Sequence, residues 1–257
     1  MGILSKIKSR LTNDERYSLS FLRLFFFDVN WLKTIWLNIT ALPFKQAIKC
    51  PIIVAYNVKI KNVGKIVLRD DAHIGMVSIG VIKITDFENN SVQTIFNNMG
   101  TLSIAGNVKL HPGVKLVIKS GAAMTLGKRV GIGANSKVVC YKSITIGDDF
   151  RCSWNSQIFD TDFHFLHNIV NDKYYQRTKD VVIGNNVFVG NGSTISKGTV
   201  LPDGCVISCI SKVSGDFSSS GTNLLIMGNP ATVIKHGVEM SNGWFIAKEE
   251  EIANMLE

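Results

Sequence analysis

Three observations predict a mainly β chain built as a coil of short parallel strands. Aliphatic residues recur at every sixth position from Ile183 to Val213. A small residue or a proline follows each of them, and the series breaks once, between Ile158 and Ile183, before resuming. A period of six is neither the 3.6 of a helix nor the simple alternation of an isolated strand.

Residues 1–50 read as an N-terminal amphipathic helical segment. Lys6, Lys8 and Arg10 lead into a polar run rather than a short apolar core, so the pattern is not that of a cleavable signal peptide. The apolar stretch "SLSFLRLFFFDVNWLKTIWLNITALPF" contains Arg23, Asp28 and Lys33. Each charge near a bilayer centre costs roughly 2.5–3.5 kcal/mol on the insertion scale, which argues against a spanning helix. At 100° per residue, Ser20, Arg23, Asn30, Lys33, Thr34 and Asn38 form one polar stripe beside a broad face of Phe, Leu, Ile and Trp. That apolar face is expected to be covered by the rest of the protein, a sister subunit or a membrane surface. Pro43 is expected to close the helical region.

The coil is assigned to residues 51–235. In its clearest part the series is Ile183, Val189, Ile195, Leu201, Ile207 and Val213. The residue after each is Gly184, Gly190, Ser196, Pro202, Ser208 or Ser214, and the fifth positions are Val187, Ser193, Thr199, Cys205 and Ser211. A short strand and a tight corner every six residues put one aliphatic side chain per side into the interior, with permissive residues at the corners. Three sides make an 18-residue turn, which stacks Ile183 on Leu201, Val189 on Ile207 and Ile195 on Val213. The same register runs through Leu126, Ile132, Val138 and Ile144, then after a two-residue slip through Ile146, Cys152 and Ile158. Ile104, Leu110 and Leu116 carry a weaker version, and Val54, Ile60 and Ile66 a degraded one. "DFENNSVQTIFNNMG" reads as a loop or irregular coil. The C-terminal 236–257, "NGWFIAKEEEIANMLE" included, is expected to form a short helical cap presenting Trp244, Phe245, Ile252 and Leu256.

The hexads "IGNNVF VGNGST ISKGTV LPDGCV ISCISK", followed by "MGNPATVIK", resemble the hexapeptide-repeat acyltransferases. That family includes the galactoside, maltose and xenobiotic acetyltransferases and many polysaccharide O-acetyltransferases. The resemblance spans residues 100–235 and implies that the coil is a left-handed parallel β-helix, an exception to the right-handed crossover rule. It also implies a homotrimer with acetyl-CoA bound in the groove between subunits.

The break in the series carries the candidate chemistry. After Ile158 the next aliphatic slot is residue 164, yet the series resumes at Ile183, which implies a 19-residue insertion with His164 standing in the slot. The ejected loop spans 160–180, and its "DTDFH" brings Asp160 and Asp162 close to His164. Transfer of an acyl group from a thioester to a hydroxyl needs a base for the hydroxyl proton, and histidine titrates near working pH. A carboxylate or carbonyl on the second ring nitrogen would orient it. The resemblance implies the same catalytic role for His164, with Asp162, Asp160 or a backbone carbonyl as its orienter. His167 reads as a substrate-facing or surface residue.

By the same resemblance, Asn135 would contact the acceptor, and Trp154 and Asn155 would line the sugar site. Asn135 is equally suited to a corner and Trp154 to packing. Phe188, Gly190 and Asn191 would lie near the thioester, Cys209 and Ser214 beside the pantetheine arm. Where relatives often carry a Thr-Lys pair and an arginine, this chain has Ser214-Gly215 and Thr232, so phosphate pairing would move to Lys212 and Lys235.

Composition narrows the alternatives. A formal charge of +8 suits anionic partners, but the basic residues are dispersed and no nucleic-acid reader motif is present. The five cysteines form no CxxC pair, and the five histidines are scattered, so no metal site is expected. The resulting expectation is a cytoplasmic acetyl-CoA-dependent O-acetyltransferase acting on a glycan acceptor, with peripheral contact at the inner face of the membrane through the N-terminal helix. Transfer to an amino sugar and a non-catalytic β-helix scaffold are the alternatives.

Overall fold

The computed structural model describes residues 27–81 and 92–240. Ser20, Arg23, residues 86–91 and the C-terminal cap with Trp244, Phe245, Ile252 and Leu256 lie outside the described residues. Three parallel sheets of nine, seven and six strands form the sides of a prism, and successive strands pass from one side to the next. The last strand of the nine-stranded sheet, Ala231–His236, folds back antiparallel on Leu224–Gly228.

The stacking read from the sequence is present residue for residue. Ile183 pairs with Leu201, Val189 with Ile207 and Ile195 with Val213, and all six side chains are buried. Burying each such side chain is worth roughly 1.5–3 kcal/mol, so the column of aliphatics is the main source of stability. The fifth positions Val187, Ser193, Thr199, Cys205 and Ser211 are buried at the corners. Ser193 Oγ donates to Ser208 O at 2.8 Å and Thr199 Oγ1 to Ser196 O at 2.7 Å, so the hydroxyls satisfy corner carbonyls without leaving the core.

Two expectations about the coil are corrected. The 18-residue turn holds between Ile183 and Leu201, but 20 residues separate Leu126 from Ile146 and 22 separate Leu110 from Ile132. Earlier sides are longer and place two residues inward, as Ile144 and Ile146 do in the strand Ser143–Ile146. The apparent slip is one such side. "DFENNSVQTIFNNMG" contains a strand, Thr94–Asn98, in the seven-stranded sheet, with Phe96 buried between Ile60 and Leu116. Its asparagines obscured the alternation.

The N-terminal helix α1 (Trp31–Ala41) is capped by Asn30 Oδ1, which accepts the Lys33 N–H at 3.0 Å. Leu42 is extended, as a residue before proline should be. Pro43 then begins a second short helix, α2 (Phe44–Ala47). Of the expected covers for the apolar face of α1, the rest of the described chain is not one. Its polar stripe faces the coil, and Leu32, Ile35, Trp36 and Ile39 face outward. The first strand, Ile52–Val54, has one edge with no neighbouring coil, and that edge is satisfied by the Asn30 N–H, which donates to Val54 O at 2.8 Å, and by polar side chains of α1. Thr34 Oγ1 accepts the Val54 N–H at 3.1 Å, Asn38 accepts the Ile52 N–H at 3.1 Å and returns a bond to Ile52 O at 2.7 Å. Lys33 Nζ donates to Tyr56 O and Val58 O.

Candidate active site

The loop leaves the prism at the corner between the seven- and six-stranded sheets. One coil earlier, Val138 to Ile144 is a step of six residues; the matching step from Ile158 to Val181 is 23, so 17 residues are inserted rather than 19. Val181 fills the slot beside Ile144, and His164 stands in no aliphatic slot. The inward position that the chain does fill at the break is Asp160. It follows Ile158 as Cys140 follows Val138, and it is fully buried.

Asp160 therefore plugs the gap rather than orienting His164. Its carboxylate accepts the backbone N–H groups of Tyr141, Lys142 and Ser143 at 2.7, 2.6 and 2.8 Å. A buried carboxylate holding three amides is charge-assisted on every bond. Its own carbonyl accepts the Lys179 N–H at 3.0 Å, which ties the two feet of the loop together. Burial, with the Asp160 charge beside it, pushes the Cys140 thiol far above its ordinary range, so that thiol is inert.

Beyond Asp160 the chain forms a closed arm. Thr161 and Thr178 pair as an antiparallel bridge, the Asp162 N–H donates to Arg177 O at 3.0 Å, and His167–Asn168 pairs with Lys173–Tyr174. Asp162 forms an ion pair with Lys197 of the next coil, and Lys197 Nζ also reaches Gln176 O. The expected orienting role of Asp162 is thus replaced by anchoring within this chain. His167 bonds to Asp172 at 2.8 Å and stacks on Tyr174, which fixes it inside the arm. His164 is exposed and its ring makes no hydrogen bond or ion pair with a described residue.

His164 sits between Phe163, which packs into an aromatic cluster at the foot of the arm, and Phe165, an exposed ring under the Arg177 guanidinium. Phe163 meets Phe159 and Tyr141 edge-on at 5.2 and 5.8 Å. The Arg177 guanidinium lies over the rings of Tyr141 and Phe165 at 5.5 and 4.8 Å, and Lys119 Nζ lies 5.3 Å from the centre of the same Tyr141 ring. Sequence reading missed this group. The available signal was aromatic and basic residues crowding one insertion, in "FHF" and "YYQR".

The other expected site residues fall elsewhere. Asn135 and Asn155 occupy left-handed corner positions with φ of 59° and 58°, at the opposite end of the same prism side from the arm. Their N–H groups continue a corner ladder, donating to Pro112 O and Ala134 O, and Gly192 donates to Trp154 O. Trp154 is 45% exposed. Five residues of extended chain, about 16 Å, separate Asn155 from the foot of the arm.

Among the expected cofactor positions, Gly190 is buried. A Cβ there would lie 2.6 Å from Cys209 N, so the stacking of the next coil already requires glycine. Asn191 O accepts the Ile210 N–H at a corner, and Phe188 is half-buried between Arg151 and Val206. Cys209, Lys212 and Ser214 are exposed around the seven-stranded side, whereas Lys235 lies on the nine-stranded side opposite Leu225. Lys212 and Lys235 do not share a face. Among the described residues no three His, Cys, Asp or Glu side chains converge as a metal site.

The described residues thus form a coil of hexads interrupted by one anchored, histidine-bearing arm. The chain belongs to the hexapeptide-repeat acyltransferase family, whose coil is the left-handed parallel β-helix. The pattern described as "Hexapeptide repeat of succinyl-transferase" matches residues 180–208. A 24.8 kDa protein of the cps region of Klebsiella pneumoniae is 34% identical over 197 residues, covering 77% of this chain and 84% of that protein. The crystal structure of the polySia-specific acetyltransferase NeuO superposes with a TM-score of 0.53 at 24% identity, covering 79% of this chain and 86% of that one. A point mutant of AntD, an N-acyltransferase from Bacillus cereus, in complex with dTDP and coenzyme A gives a TM-score of 0.45 at 16% identity, covering 80% and 89%.

Proposed function

We propose that this protein transfers acetyl from acetyl-CoA to a hydroxyl of a bacterial surface polysaccharide or its precursor, with His164 as general base and no acyl-enzyme intermediate. The observation that carries the reading is the placement of His164. It is exposed on an arm whose foot is held by the Asp160 carboxylate, the Asp162–Lys197 ion pair and the Thr161–Thr178 bridge. The arm spends its hydrogen bonds on its own rigidity and leaves this one imidazole uncommitted. A base held on a rigid element is what proton transfer at a fixed geometry requires. The relative from a cps region supports a surface glycan as acceptor, and the polySia-specific enzyme is an example of this fold used on one.

The working site is completed in a homotrimer. Within one chain the arm and the corner carrying Asn135, Trp154 and Asn155 lie at opposite ends of one prism side. Cyclic symmetry brings one protomer's arm against another's corner, and the acceptor for the second His164 nitrogen comes from across that interface. The thioester lies by Phe188 and Asn191 in the same groove, with Cys209 and Ser214 along the pantetheine arm. The phosphates take whichever of Lys212 or Lys235 flanks that groove, since the two stand on different sides of the prism.

Peripheral contact with an anionic membrane surface is supported by the outward face of Leu32, Ile35, Trp36 and Ile39 beside exposed Lys45 and Lys49. No helix among the described residues is long and apolar enough to cross a membrane. The activity is tested by incubating the protein with acetyl-CoA and surface glycans and following the product by mass spectrometry. Acetyl groups removed by mild alkali identify esters. Alkali-resistant acetyl groups on amino sugars would support N-acetylation instead, and no transfer at all would contradict the reading.

A further inference from the structure

The proposed activity does not explain the two cations on Tyr141. The Arg177 side chain makes no hydrogen bond or ion pair with a described residue, and its Nε is out of solvent contact without an acceptor. Among the described residues the Lys119 ammonium has only the same ring as partner. The nearby carboxylates are committed elsewhere: Asp160 to three backbone amides, Asp162 to Lys197, and Asp180 to Lys142. The Tyr141 ring lies between Lys119, one coil earlier, and Arg177 in the arm that carries His164, and among the described residues neither cation has a carboxylate partner, so the Arg177 guanidinium is open to an anion. Below them on the seven-stranded side, Lys115 and Lys137 are register partners on adjacent coils. Neither makes an ion pair with a described residue.

We propose that the acceptor is an acidic glycan, and that Arg177 binds a sugar-ring carboxylate next to the hydroxyl presented to His164, with Lys119 on the far side of Tyr141 adding positive potential. This deepens the acetyltransferase reading and rests on it for the identity of the site. A guanidinium offers two N–H groups in a fixed fork matched to a carboxylate, whereas an ammonium adds a point charge. Stacking on Tyr141 and Phe165 fixes the fork before the ligand arrives, which lowers the ordering cost of binding. The Lys115–Lys137 ladder then attracts further acidic residues of the same chain, which favours a polymer over a single sugar.

The test uses the full chain and two probes, sialic acid oligosaccharides and glucuronic acid oligosaccharides, each paired with its carboxyl-reduced form. Binding is measured directly, and acetyl transfer in parallel. Wild type is expected to bind at least one acidic probe about 10- to 100-fold more tightly than its reduced form. Arg177→Gln should remove most of that ratio, Arg177→Lys should keep part of it, and Lys119→Gln should cost less. His164→Ala should keep the ratio intact while transfer is lost, which separates failure of this proposal from failure of the catalytic reading. Equal binding of acidic and reduced probes by wild type would overturn it. So would an Arg177→Gln protein that weakens both forms equally, the result of a merely structural clamp. A rise confined to the KM for acetyl-CoA would assign the two cations to the donor's phosphates and equally overturn it.

Discussion

The stretch from Ile183 to Val213 and the arm from Thr161 to Thr178 are separated by a few residues of chain and obey opposite rules. In the coil every sixth side chain is an aliphatic sealed inside, and the strand amides find carbonyls one turn away while corner amides such as Ser193 and Thr199 close their own turns. In the arm Phe165, Leu166, Ile169, Val170 and Tyr174 are exposed, and the backbone pairs with itself. Coil residues are explained once packing is understood. Gly190 shows this, since its small size answers to Cys209 N in the next turn before any ligand is considered. The arm is not explained that way. Its exposed imidazole and its ring-held guanidinium have no packing purpose large enough to account for them.

Asp160 stands where the two regimes meet, and altering it should produce the largest stability effect. Asp160→Ala leaves three amides without their acceptor and is expected to cost about 3–5 kcal/mol, read from denaturant unfolding. A loss under about 1 kcal/mol would mean that the arm closes without it. Ile195→Ala, in the regular coil, is expected to cost about 2–5 kcal/mol through the cavity it opens between Ile158 and Val213. Activity per folded molecule should remain close to wild type. Mixing His164→Ala and Trp154→Ala protomers tests the shared site. If each site draws on two protomers, random mixing restores about a quarter of the sites, whereas a site within one protomer restores none. The smallest effect belongs to the arm's tip, where Val170→Ser should change the stability of the free protomer by no more than about 0.5 kcal/mol.

Legibility in the sequence followed the same division. The coil was readable because one aliphatic per side is a strong constraint, enough to place Ile183 on Leu201 from the spacing alone. Longer sides escaped because two extra residues at a corner shift the count without disturbing the alternation, as at Ile144 and Ile146. Phe96 was hidden among asparagines. The helix was found, but which of its faces meets the coil was not legible. Hydrophobic patterning assumes that the partner surface is apolar, and here the partner is the unpaired edge of Ile52–Val54. The ejected loop was located, yet the work of its aspartates was not. Whether a carboxylate serves a ring or a backbone edge depends on which side of the strand it leaves, and the broken register concealed that for Asp160. Arg177 was invisible because its ring partners come from two places, Tyr141 a coil earlier and Phe165 in the arm.

The central claim is that the arm exists to present His164. Acetyl transfer by His164→Ala, measured alongside its oligomeric state and its binding of coenzyme A, tests this most directly. The expected result is a fall in kcat of about 10²- to 10⁴-fold with assembly and coenzyme A affinity unchanged. Transfer at the wild-type rate from a correctly assembled His164→Ala protein would contradict it.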